Sequence, residues 1–224
     1  MTAPAPALTS DRPVTLIGGG PFSQADLELA LPLAPLVVAA DGGADAALAH
    51  GLDPSAVIGD FDSLSEAARN AIPDARLHRV KEQESTDFQK CLSRIAAPLV
   101  LAVGFSGARQ DHFLAALNAL ARRIGPPCIL IAGSDLIALC PPDMALDLPA
   151  GARVSLFPMG AARGRSTGLQ WPIDGLEFAP DAAVGTSNRA TGPVTLSIQG
   201  PMLICLPRDC LAALIAALSP APAR

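Results

Sequence analysis

The chain has no tyrosine and a single tryptophan, and aromatic residues make up only 4% of its 224 positions. Charge is also scarce, at 17% of residues, with a net value of −5. No basic run occurs, so the cationic face that phosphate-backbone binding demands is missing and nucleic acid is not an expected partner. The five cysteines, Cys91, Cys128, Cys140, Cys205 and Cys210, are odd in number and form no Cys-x-x-Cys. Neither a zinc site nor a disulfide framework is therefore expected; apolar neighbours suggest buried, reduced thiols and a cytoplasmic location. The N-terminus lacks the basic segment and apolar core of a signal peptide. No apolar run approaches the roughly 20 residues that span a bilayer, so no membrane partner is expected. What the chain has in plenty is apolar side chain, at 50%. That surplus fits a large buried interface between copies, as in a homo-oligomer.

The first half reads as alternating strand and helix. Residues 1–12, rich in Ala and Pro, read as a loose arm. Val14 to Ile17 is a short strand, closed by Gly18-Gly19-Gly20-Pro21, and Ser23-x-x-Asp26 starts a helix. Leu36 to Ala40 is a second strand, ending in Asp41-Gly42-Gly43-Ala44. Strand, glycine turn, helix is the arrangement in which backbone N–H groups meet a phosphate. The triple glycine has neither the Rossmann spacing nor the Walker lysine, so alone it is weak. Pro98 to Val103 is a further buried strand, before Arg109-Gln110-Asp111-His112 and an amphipathic helix to Ile124. Short connections between strands and helices predict a parallel sheet covered on both faces over residues 13–125. From Pro126 the helical period is lost until the tail, and short alternating runs predict an all-β sandwich over residues 126–224. The apolar tail Leu211 to Leu218 is expected to pack on the body of the protein. The fold class is thus an α/β N-terminal domain followed by a β-sandwich.

The chemistry is expected where strands give way to helices, since open α/β sheets bind ligands there. Val57-Ile58-Gly59-Asp60-Phe61-Asp62-Ser63 is a buried strand running into two acids. If the chain stays extended, Asp60 and Asp62 point to one face and converge on a cation, as carboxylates do around Mg²⁺ beside phosphates. The plain alternative is a polar strand exit capping the next helix. A second acidic group, Glu82, Glu84 and Asp87, surrounds a helix start at Ser85-Thr86; one acid would complement the dipole, three exceed that need. Arg109 is placed to pair with phosphate oxygens. His112 is either a helix-start hydrogen-bonder or a site residue. In the second half, Trp171 reads first as core filling, and Thr186-Ser187-Asn188 by itself as a turn.

Taken in order, Asp41-Gly42-Gly43-Ala44, Ile58-Gly59-Asp60-Phe61-Asp62-Ser63, Glu82-Gln83-Glu84-Ser85-Thr86-Asp87-Phe88, Gly107-Ala108-Arg109-Gln110-Asp111-His112 and Thr186-Ser187-Asn188 resemble thiamine pyrophosphokinase. That resemblance implies a homodimer that moves pyrophosphate from ATP to the hydroxyethyl group of thiamine, giving thiamine diphosphate and AMP with Mg²⁺. It implies that Asp60, Asp62, Asp87 and Glu84 hold the metal and that Asp60, Asp62, Asp87 and Arg109 are catalytic. Gly19, Asp41, Gly42, Gly43, Arg109, Asp111 and His112 would serve ATP. Gln83, Trp171, Ser187 and Asn188 would hold thiamine, across the dimer interface. Two positions depart from the family pattern: Glu82 and Glu84 stand where Asp is common, and Ala108 where a second glycine is usual. The competing readings are a haloacid-dehalogenase-type phosphatase with Asp60 as nucleophile, a one-phosphate thiamine kinase, and a non-catalytic thiamine or nucleotide sensor.

Overall fold

The computed structural model describes residues 5–107 and 109–218, so Ala108, the first four residues of the arm and the last six residues of the chain lie outside it. The chain divides into two compact units, residues 1–133 and 134–224.

In the first unit six strands lie parallel: β1 (Val14–Ile17), β2 (Leu36–Ala40), β3 (Ala56–Gly59), β4 (Leu77–Arg79), β5 (Val100–Val103) and β6 (Cys128–Ala132). Their order is β6-β5-β1-β2-β3-β4. β2, β3 and β4 are laid down to one side of β1 and β5 and β6 to the other, so the order switches at β1. β1, β2, β3 and β5 are almost wholly buried aliphatic runs, as strands covered on both faces must be. Five helices connect them: α1 (Gln24–Ala30), α2 (Gly43–Ala49), α3 (Glu66–Ala71), α4 (Asp87–Leu92) and α5 (Gln110–Ala121). α1 starts in a capping box, with Ser23 accepting from the Asp26 N–H and Asp26 accepting from the Ser23 N–H. Ser65 and Thr86 cap α3 and α4 in the same way from one side.

The boundary expected after residue 125 falls instead after Gly133. Cys128–Ala132 is the sixth parallel strand, paired with Val100–Val103, because a continuous buried run suits a parallel sheet as well as a sandwich. Part of the expected loose arm is also tied down: Leu8 and Thr9 pair in parallel with Ile95 and Ala96.

The second unit is antiparallel apart from its last helix. Its strands are β7 (Asp135–Leu139), β8 (Asp143–Leu146), β9 (Arg153–Pro158), β10 (Ala162–Leu169), β11 (Glu177–Phe178), β12 (Gly185–Gln199) and β13 (Met202–Pro207). The 15-residue β12 serves two ladders. Its first residues pair with β9, which continues through β13 to β7. The remainder is flanked by β8 on one side and β10 on the other, with β11 beyond β10. α6 (Leu211–Leu218) packs against β8 and buries Leu211 and Leu214, as expected of the apolar tail. Among the described residues no helix is long and apolar enough to cross a membrane.

Candidate active site

At the C-terminal ends of β1, β2 and β5 three turns come together around a cleft of about 410 Å³, within the size range of small-molecule sites. Gly19 and Gly20 follow β1, Asp41 and Gly42 follow β2, and Gly104, Phe105 and Ser106 follow β5. Ser63, Thr86, Asp87, Phe88, Arg109 and His112 complete the lining. This is where the strand order reverses, the place at which such sheets open a crevice. Two glycines let the turns come so close. A Cβ on Gly43 would be driven into the Ile17 carbonyl oxygen, and one on Gly59 would lie 2.8 Å from the Cβ of Asp41.

The acids that meet are Asp41, Asp60 and Asp87: each offers one carboxylate oxygen, and these oxygens lie within 4.8 Å of one another. Asp41 is 3% exposed and has a φ of 44°, a left-handed conformation that Asp tolerates better than most residues. Its Oδ2 accepts the Ser63 N–H at 3.1 Å, while its Oδ1 is buried with no hydrogen-bond partner among the described residues. Burial raises the Asp41 pKa, reinforced by the charges of Asp87 and Asp60 and opposed by the Ser63 N–H. Burial likewise raises Asp87, against the lowering effect of Lys90. Asp60 is held below the usual carboxylate range by its hydrogen bond from Lys90.

Lys90 sits among these acids. Its Nζ is 2.6 Å from Asp60 Oδ2 and 3.3 Å from Asp87 Oδ1, and its side chain is 2% exposed. Burial alone would lower its pKa, yet the two acids bring it above its ordinary value. Asp60 Oδ2 also accepts from Gln83 Nε2 at 3.2 Å, and its carbonyl accepts from Arg79 Nε at 3.0 Å.

Asp62 stands apart from this cluster. Phe61 has a φ of 71° and packs against the core of Ala39, Val57 and Ile72. The chain is therefore not extended there, and Asp60 and Asp62 do not share a face as an extended strand would require. Asp62 is exposed, with its N–H donating to Asp60 Oδ1 at 3.2 Å. Glu84 is exposed too, and its N–H donates to Glu82 Oε2 at 2.9 Å. Glu82 closes its own loop, accepting from the backbone N–H groups of Glu84 and Ser85 and from the Ser85 hydroxyl; the Ser85 bond leads in holding its pKa down. Of the expected ligands Asp60, Asp62, Asp87 and Glu84, only Asp60 and Asp87 meet, and the third acid is Asp41. Gly19, Gly42, Arg109 and His112 line the cleft. Gly43 lies behind it against Ile17, and exposed Asp111 pairs with Arg109 at 2.6 Å.

In the second unit Trp171 and Asn188 are joined. Asn188 Nδ2 donates to the Trp171 carbonyl at 2.6 Å, and the Trp171 N–H donates to Asn188 Oδ1 at 3.2 Å. Ser187, with a φ of 61°, donates its N–H to Ser155 Oγ at 3.0 Å. Asn188 is buried, but Trp171 is 54% exposed, so it is not the core filler that a lone tryptophan first suggests. Reading the sequence overlooked Lys90 and the aromatic pair Phe88–Phe105, whose ring centroids are 4.6 Å apart. The spacing held a signal for the lysine, since positions three apart on a helix are neighbours and Lys90 follows Asp87 by three.

Asp41, Asp60 and Asp87 suit a hard divalent cation. They supply oxygen ligands, and the unpartnered Asp41 Oδ1 is a buried acceptor lacking a donor.

Residues 27–129 match the family described as thiamin pyrophosphokinase, catalytic domain. The chain is 29% identical over 158 residues to thiamine pyrophosphokinase 2 of Oryza sativa subsp. japonica, covering 60% of this chain and 58% of that protein. It is 27% identical over 154 residues to thiamine pyrophosphokinase 1 of Arabidopsis thaliana, with the same shares. The matched part thus spans less than two thirds of those relatives. Among solved structures, thiamin pyrophosphokinase from Candida albicans has a TM-score of 0.73 at 15% identity, covering 88% of this chain and 89% of that one. The one from Geobacillus thermodenitrificans has a TM-score of 0.71 at 23% identity, covering 89% and 100%.

Proposed function

We propose that this chain, which resembles thiamine pyrophosphokinases in sequence and has the thiamin pyrophosphokinase fold, transfers pyrophosphate from ATP to thiamine and releases AMP. The observation that carries the reading is the meeting of Asp41, Asp60 and Asp87 beside a cleft that Asp41 and Asp87 line together with glycine turns and Arg109. Neither the phosphatase nor the sensor draws support from the relatives.

In this reading the first unit binds ATP and catalyses the transfer. Backbone at Gly19 and Gly42 lies against the nucleotide, and Arg109 and His112 face its phosphates from the opposite wall. Asp41, Asp60 and Asp87 would hold Mg²⁺, and Asp62, which stands apart from them, would act through the hydrogen bond its N–H gives Asp60 Oδ1. When bound, the ion supplies charge neutralisation for phosphate oxygens. The thiamine hydroxyl oxygen forms a bond to the β-phosphorus, and the bond from that phosphorus to the oxygen bridging the α-phosphate breaks. AMP leaves with that oxygen and its electron pair, and the hydroxyl proton passes to an acceptor in the cleft. Transfers of this kind depend chiefly on positioning and on neutralising charge. Arg109 contributes the second of these, and Asp111, paired to it, sets its direction.

The second unit supplies the thiamine residues and the homodimer contact, with its two ladders packed as a sandwich. The exposed ring of Trp171 suits a thiazolium cation, an attraction worth roughly 0.5–2 kcal/mol. Asn188 holds the Trp171 backbone, Ser187 stands next to it in the chain, and Gln83 of the first unit is a further polar candidate for thiamine. Four of the five free thiols are buried and Cys205 is half-buried, which fits a reducing, cytoplasmic setting.

The test is to identify the nucleotide product after incubation with ATP, thiamine and Mg²⁺. AMP with thiamine diphosphate is expected; ADP would mean a one-phosphate kinase, and phosphate release without thiamine a phosphatase. Asp62→Asn is expected to abolish most AMP release while leaving the protein folded, and near-normal turnover would remove Asp62 from the machinery.

A further inference from the structure

A lysine buried beside a cation site calls for a reason, because it opposes the ion the site would bind. Lys90 is that residue: its side chain is 2% exposed, and its ammonium bridges Asp60 at 2.6 Å and Asp87 at 3.3 Å. Desolvating an ammonium is expensive unless it is paired and hydrogen-bonded. Here both pairs are with members of the carboxylate cluster, and the one to Asp60 also ties α4 to the end of β3.

We propose that Lys90 is a positioning residue that acts as the built-in counter-charge of the acidic site, assembling Asp60 and Asp87 before any ion arrives and fixing the charge left for it. This rests on the reading of Asp41, Asp60 and Asp87 as a cation site. Three carboxylates crowded within 4.8 Å repel one another. One ammonium against three acids leaves two negative charges, matched to a single divalent ion. Among the described residues Lys90 is the cation ion-paired to these carboxylates, and without it the third charge is free to draw an ion in more strongly.

The backbone places Lys90 for this. Thr86 caps α4, with the Gln89 N–H donating to its hydroxyl, and that cap fixes the first turn that carries Asp87. Lys90 follows one turn later on the same face. Asp60 arrives from the end of β3 with its carbonyl held by Arg79 and its Oδ1 by the Asp62 N–H. Oδ2 is thereby turned to the lysine. Among the described residues the Lys90 ion pairs are with Asp60 and Asp87 and not with Asp41, whose Oδ1 stays unpartnered.

The experiment titrates Mn²⁺ into nucleotide-free wild type, Lys90→Met and Lys90→Arg by calorimetry, and follows thermal unfolding of each in chelator and in excess Mn²⁺. Lys90→Met is expected to bind Mn²⁺ about tenfold more tightly than wild type, since a repelling charge a few ångströms away has gone. It is also expected to unfold earlier in chelator and to recover on adding the ion, a larger gain than wild type shows. Lys90→Arg keeps the charge and is expected to stay within about twofold of wild type in affinity. A Lys90→Met affinity equal to or weaker than wild type overturns the inference while leaving the cation site intact. So does a loss of stability that is the same with and without Mn²⁺, or a failure of both variants to fold in either condition, since each marks a merely structural lysine. Absence of Mn²⁺ binding by wild type itself removes the cation site, and the inference with it.

Discussion

Asp41 carries the strain of the cleft in one residue. Its backbone is left-handed, its side chain is buried, and one carboxylate oxygen lacks a partner. Its raised pKa has a direct consequence for stability. A carboxyl whose folded pKa exceeds its unfolded one costs stability once the pH is above the folded value, and costs nothing below the unfolded value. Asp41→Asn removes that cost, keeps an acceptor for the Ser63 N–H, and tolerates the same φ. Its new amide N–H faces Asp60 and Asp87 as acceptors. In chelator at neutral pH the variant is therefore expected to unfold a few degrees higher than wild type, about 2–4 °C for each kcal/mol regained. The advantage should shrink as the pH falls through the raised Asp41 value and vanish below the ordinary 3.8. Added Mg²⁺ should stabilise wild type but not Asp41→Asn. Thermal scans across pH with and without the ion check all three outcomes, and a variant less stable at neutral pH would mean that the charge does not strain the fold.

At the scale of elements, the sequence exposes what depends on local pattern and hides what depends on one backbone torsion. β1 and β2 were legible to the residue because buried aliphatic runs end there in glycine and Asp41-Gly42. The acidic pair was legible as a site but not as a geometry: a strand reading assumes extension through Phe61, whose left-handed φ is set by its packing on Ala39, Val57 and Ile72. α4 stops at Leu92, and just beyond it Ile95 and Ala96 pair with Leu8 and Thr9, a contact between distant segments that no local period signals. Thr186-Ser187-Asn188, turn-like in composition, lies inside the long β12, with Ser187 at positive φ where the ladder to β9 is irregular. Close packing of elements was equally hidden. α2 begins against the end of β1, and only a hydrogen fits between Gly43 and the Ile17 carbonyl. Gly43→Ala must push α2 off the sheet, at a cost of about 1–3 kcal/mol, and must widen the cleft proposed for ATP as it does so. Urea unfolding should show that loss, and ATP binding should weaken with it. Unchanged stability would mean that α2 shifts freely, and the tight turn would then have no part in shaping the cleft.

For the whole molecule, the question is whether the residues of the second unit serve the same ligands as the cleft of the first. One feature lets this be read optically, because Trp171 is the sole tryptophan and no tyrosine obscures it. Its ring is more than half exposed, while its backbone is locked to the buried Asn188. A large aromatic held rigidly at its base and left open at its face is arranged for contact, since packing alone would have buried it. Phe157, Leu176 and Val184 of the same unit are also exposed, side chains that the proposed homodimer would be expected to cover. If thiamine stacks on Trp171, adding thiamine must quench or shift the tryptophan emission, in a saturable way and without ATP. Asn188→Ala removes both bonds that hold the Trp171 backbone and should weaken thiamine binding at least tenfold, equivalent to about 1.4 kcal/mol. It should leave ATP binding unaltered, because the residues proposed for ATP belong to the first unit and Asn188 to the second. Light scattering on the same samples should give a dimer mass. Emission indifferent to saturating thiamine would separate the tryptophan from the substrate, and the second unit would then act through association between copies instead of through recognition.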